Sequence, residues 1–64
     1  MIDVTRLNGK VITVNSDLIE FIEETPDTVV TFTNGTKIVV KEECDAIKKM
    51  ILDYKRSIFQ PFGE

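Results

Sequence analysis

The chain has 64 residues, 42% of them hydrophobic and 30% charged, which is enough apolar material for one small folded domain. A domain of this size leaves much of its surface wet, so its stability margin is about 3–5 kcal/mol unless something staples it. One Cys and no His exclude an internal disulfide, a Cys/His zinc site and a His-based triad, and a formal charge of −3 lacks the basic excess of nucleic-acid binders.

Met1 to Lys10 alternates in polarity and has no apolar core of signal-peptide type. Asn8-Gly9 and Asn34-Gly35, each flanked by β-branched residues, are strong hairpin signals. Their flanks resemble each other, and shared turn chemistry accounts for that more simply than an internal duplication. A two-residue loop would mix polar and apolar residues on each face. A three-residue loop ending in glycine instead pairs Arg6 with Lys10, Val4 with Ile12 and Ile2 with Val14. The second hairpin then pairs Val30 with Ile38 and Thr28 with Val40. Both readings require a positive φ at Gly9 and Gly35, where an alanine would meet a Cβ clash.

Asn15-Ser16-Asp17 reads as a short turn before an apolar stretch, Leu18-Ile19-Glu20-Phe21-Ile22. Pro26 and Asp27 form the next turn, and an even-length loop there places Phe21 opposite Phe32. The pattern then changes period. Cys44, Ile47, Ile51, Tyr54 and Ile58, with Met50 beside them, recur at helical spacing. This predicts a helix from about 43 to 58 and a loose tail over residues 59–64. No Ser, Thr or Asn stands at the helix boundary to cap it. The expected fold is mainly β (α+β): five short antiparallel strands in a small barrel or twisted sheet, then one C-terminal helix, forming one domain over residues 1–58.

Ile2, Val4, Ile12, Val14, Ile19, Phe21, Val30, Phe32, Ile38 and Val40 are expected to share the core face with the helix stripe. Leu7, Val11, Leu18, Ile22, Val29 and Val39 then project from the opposite face. Six apolar residues on one side of so small a sheet mark a candidate surface for a protein partner or a second copy. Glu20, Glu23 and Glu24 suit edge charge that blocks unwanted strand pairing better than acid–base or metal chemistry. Arg6 is expected to reach an acid of the third strand. Lys48, Lys49, Lys55 and Arg56 are interrupted by Asp45 and Asp53, as on a solvated face. Cys44 reads as a small buried hydrophobe. The motifs point to no catalytic residue, metal or cofactor. No apolar run approaches the ~18 residues that span a bilayer, and a lone cysteine fits a reducing compartment, so a cytoplasmic location is expected.

Thr5-Arg6-Leu7-Asn8-Gly9, Asp17-Leu18-Ile19-Glu20, Ile22-Glu23-Glu24-Thr25-Pro26-Asp27-Thr28, Thr33-Asn34-Gly35 and Val39-Val40-Lys41-Glu42 together resemble the small flagellar FlbD family, also called SwrD. The resemblance runs over residues 1–52 in order. It implies a non-enzymatic cytoplasmic protein needed for motility, linked to motor power and swarming through motor or stator units. It supplies no catalytic residue to carry over. Where the family usually continues with a Ser that could cap the helix, Glu43 and Cys44 stand here. The alternative is a small β-module that binds RNA, which the net acidity disfavours.

Overall fold

The computed structural model describes residues 1–59. Five strands precede one helix: β1 (Ile2–Thr5), β2 (Val11–Val14), β3 (Ile19–Glu24), β4 (Thr28–Phe32), β5 (Lys37–Val40) and α1 (Cys44–Phe59), with a single 3-10 turn at Ser16–Leu18. All pairings are antiparallel, in a two-stranded sheet (β1-β2) and a three-stranded sheet (β3-β4-β5). The sheets do not close into a barrel. They are tied by a bridge between Arg6 and Val40 and by the Lys41 N–H donating to the Thr5 carbonyl at 2.8 Å.

Both Asn-Gly bends use the same bonds. Arg6 N–H donates to the Lys10 carbonyl (2.8 Å) and Gly9 N–H to the Arg6 carbonyl (2.9 Å). Phe32, Thr36 and Gly35 repeat this at 2.8 and 2.9 Å. The side-chain oxygens of Asn8 and Asn34 accept from the N–H two residues on, each at 3.0 Å. The registers follow: Val4 faces Ile12, Ile2 faces Val14, Val30 faces Ile38 and Thr28 faces Val40. Both glycines have φ of 90°. Among the described residues, nothing beyond the two chain neighbours lies within 4 Å of where a Cβ would sit. A substitution therefore meets backbone strain and no tertiary clash.

The β3–β4 connection departs from expectation. Its loop is Thr25-Pro26-Asp27, an odd length, with Glu24 opposite Thr28 and a cis peptide before Pro26. That loop sets Ile22 opposite Val30 and Phe21 opposite Thr31, and a register shift at Glu20 then places Ile19 opposite Phe32. The physical reason lies in the spacing of Ile19 and Ile22. An odd separation puts two residues on opposite faces of a regular strand, so one extra residue is needed to turn both inward. Ile19 and Ile22 both pack on the core, whereas Phe21 faces outward and is 45% exposed.

Ile2, Val4, Val30, Ile38, Val40 and Ile47 form the buried core, with Ile12, Val14, Ile19, Ile22, Phe32, Met50 and Ile51 packed around it. Helix α1 crosses this inner face against β1 and β3. Ile47 is 0% exposed, but Tyr54 is 37% and Ile58 55% exposed on the same stripe. Among the described residues the stripe thus becomes progressively more exposed toward the C-terminal end of the helix. It starts one residue later than expected and includes Phe59, and the remainder of the expected tail lies outside the described residues. Cys44 is half-buried and unpaired.

The missing local cap is supplied from a distance. Glu24 Oε1, at the end of β3, accepts from the Cys44 N–H at 2.7 Å. This answers one of the helix's orphan donors and places negative charge at its positive end. Glu24 thus has a structural partner, beyond any edge charge.

Candidate interaction surface

The bridge at Arg6 and Val40 sets the alignment of β1 against β5. Continuing that register brings Leu7 beside Val39, and the β5–β4 and β4–β3 registers add Val29 and Glu23. Leu7, Val39, Val29 and Glu23 therefore form one row across the outer face. The adjacent row is Lys37, Thr31 and Phe21. Leu7 (54%), Val11 (64%) and Leu18 (50%) are well exposed, and Val29 and Val39 are half-buried. Ile22 does not join them, because the three-residue β3–β4 loop pairs it with Val30 on the inner face. Phe21 takes its place outside. The signal that could have exposed this swap is the odd spacing of Ile19 and Ile22.

Two open clefts flank these residues. One, of about 460 Å³, is lined by Val14, Leu18 and Phe32 together with Asn15, Thr33, Asn34 and Thr36. Its walls are tied where the Thr33 N–H donates to the Leu18 carbonyl at 2.8 Å. Asn15 Oδ1 accepts from Asp17 N–H at 3.0 Å, so the turn that presents Leu18 is itself fastened. The second cleft, of about 330 Å³, is lined by Arg6, Leu7, Asn8, Lys37, Ile38 and Val39.

The electrostatics are mostly those of a wet surface. Among the described residues the ion pair within 4.0 Å is Lys48–Asp45 at 3.9 Å, where both side chains are largely exposed. Such a pair contributes little. Among the described residues Arg6 has no acidic partner at that distance; it lines the second cleft instead. Glu42 is the exception. Both its carboxylate oxygens accept from the Thr5 N–H, at 2.8 and 3.0 Å. Desolvation pushes its pKa upward, but the hydrogen bonds from Thr5 and from its own backbone, with the charge of Lys41, outweigh this and hold it below the ordinary glutamate value. No local sequence signal marks Glu24 or Glu42 for these roles, because their partners lie 20 and 37 residues away. Among the described residues, no group of three or more Cys, Asp and Glu could hold a metal ion.

The arrangement is that of a small β-scaffold which displays apolar side chains beside shallow clefts. Residues 1–59 match the FlbD family of flagellar and swarming motility proteins, and the chain belongs to that family. Neither a curated protein nor a solved structure matches it. No described helix is long and apolar enough to cross a membrane.

Proposed function

We propose that this protein supports flagellar and swarming motility as a non-enzymatic adaptor, binding a motor or stator component on the cytoplasmic side. The supporting observation is the exposure of Leu7, Val11 and Leu18 on the β-structure of a chain from a motility family. An exposed apolar group costs solvation that burial against a partner recovers, at ~25 cal/mol per Å². Large exposed patches accordingly mark interaction sites. The exposed end of the helix stripe at Tyr54 and Ile58 offers a second apolar surface to the same assembly.

The test replaces Val11 and Leu18 by Asp in the flagellated host. Both are exposed, so circular dichroism and thermal melting should be unchanged. Swarming should fall with flagellar number retained. Normal swarming and swimming speed by a folded double variant would remove this surface from the function, and a matching Tyr54→Asp, Ile58→Asp variant examines the helix separately.

A further inference from the structure

Bridged through β1 and β5, the two sheets leave two free edges of opposite character. β3 carries Glu20, Glu23 and Glu24 and the bulge at Glu20, the charge and irregularity that keep an edge from pairing with another strand. β2 carries Val11-Ile12-Thr13-Val14, with no charge, proline or bulge. Among the described residues it pairs with β1 alone. The direction of its backbone groups follows from Thr5, whose N–H donates to Glu42 and whose carbonyl accepts from Lys41, both away from β2. Thr5 and Val11 are therefore a pair with no hydrogen bond between them, and Asp3 and Thr13, two residues along, are another. The N–H and C=O groups of Val11 and Thr13 point out of the free edge, and none of the four has a protein partner among the described residues. Val11 is 64% exposed, Thr13 is exposed, and the inward-facing Ile12 and Val14 remain half-buried, so no other described element shields this edge.

Such a row of N–H and C=O groups is complementary to another extended strand. β2 itself meets that description: every residue in it is β-branched, and antiparallel pairing about a two-fold axis makes the strand its own complement. We propose that β2 is a dimerisation edge, adding to β2 of a second copy of this chain to give strands in the order β1-β2-β2-β1. Val11 of each copy then exchanges hydrogen bonds with Thr13 of the other, and the two Ile12 residues meet at the axis on the inner face. Neighbouring registers are poorer. Centring on Thr13 sets the two Asp3 carboxylates side by side, since Asp3 accepts from the Thr13 hydroxyl at 2.6 Å. Centring on Val11 runs each strand into the other's Asn8-Gly9 bend. The antiparallel order also brings Lys10, before each strand, toward Asp17, past the end of the other. A two-stranded sheet is marginal by itself, and the added strands relieve that. The pairing stands apart from the adaptor reading, because backbone groups of one edge carry it and the exposed side chains of the outer face do not.

Sedimentation velocity on the purified full chain, from about 10 μM to about 1 mM, should show a weight-average mass rising toward twice that of the chain. Amide hydrogen exchange, read residue by residue, locates the contact. Val11 and Thr13 should exchange freely at the dilute end and become protected by about 10-fold or more at the concentrated end. Ile12 and Val14, paired with β1 in either state, should change far less. Thr13→Pro removes an outward N–H and no backbone bond within the chain. It should keep the wild-type circular dichroism and weaken association by about 10-fold or more. A wild-type chain that stays monomeric over this range overturns the proposal, as does a dimer in which Val11 and Thr13 exchange as freely as in the monomer. The exchange measurement is made on the wild type, so it decides the matter even where the proline variant fails to fold. Loss of swarming in the Val11 and Leu18 variant alongside a strictly monomeric wild type would keep the adaptor and discard the pair.

Discussion

Removing the Glu24 carboxylate separates two roles by the sign of the result. In Glu24→Ala the Cys44 N–H loses its acceptor at 2.7 Å, and the first turn of α1 loses its facing negative charge. A lost helix cap costs about 1 kcal/mol. The charge at the helix terminus adds about 0.3–1 kcal/mol at low salt. The bond is exposed, and water replaces part of it, so the expected loss is about 1 kcal/mol from a margin of about 3–5 kcal/mol. For a domain of this size that lowers Tm by roughly 4–8 °C. If Glu24 served only as edge charge, its removal would relieve repulsion from Glu20, Glu23 and Asp27, and stability would hold or rise. The assay is urea unfolding followed by circular dichroism, with Glu23→Ala as the control for charge alone. Glu24→Gln, which keeps an oxygen acceptor, should fall between wild type and Glu24→Ala. Equal stability of Glu24→Ala and Glu23→Ala would refute the capping argument.

Glu42 titrates below the ordinary glutamate value when folded, so its stabilising contribution is present above the unfolded-state pKa and is lost as pH falls through the folded one. Unfolding of wild type and Glu42→Gln should therefore differ near pH 7 and converge as pH drops to about 3; a constant gap across that range would contradict this. The Thr31 hydroxyl is buried without a hydrogen-bond partner, in a residue 4% exposed. Thr31→Val removes that unmet group at similar volume and should raise stability by about 1 kcal/mol or more, as read by denaturant midpoint. Ile47, on the inner side of α1, is fully buried, so Ile47→Val should cost about 0.5–1.5 kcal/mol. Ile47→Ala, at about 2–5 kcal/mol, should leave much of the chain unfolded in water; a cooperative melt at the wild-type temperature would show that the helix is not anchored there.

Local chemistry was sufficient for the two Asn-Gly hairpins. An Asn followed by Gly satisfies the bend with its own side chain and a positive φ, so loop length and register follow from a few consecutive residues. The helix stripe was equally legible, because periodicity is a property of the segment itself. The inward set of β1, β2, β4 and β5 was readable for the same reason. Sequence reasoning failed where the answer depended on what lay across the fold. The odd β3–β4 loop turns Ile22 in and Phe21 out, and the bulge at Glu20 brings Ile19 back inward, where the core beneath β3 accepts both Ile19 and Ile22. Strand alternation alone cannot count an inserted residue. The exposure of Tyr54 and Ile58 depends on what packs against the helix, which no helical wheel contains.

The amino-acid order alone determined the bends, the strand-then-helix sequence of elements and the family, each of which rests on contacts between near neighbours or on motif order. Tertiary structure decided the open arrangement of two sheets, the partners of Glu24 and Glu42, and the membership of the outer face. Those features join residues 20 to 37 positions apart, and a carboxylate carries no mark of which distant N–H will reach it until the chain has closed that distance.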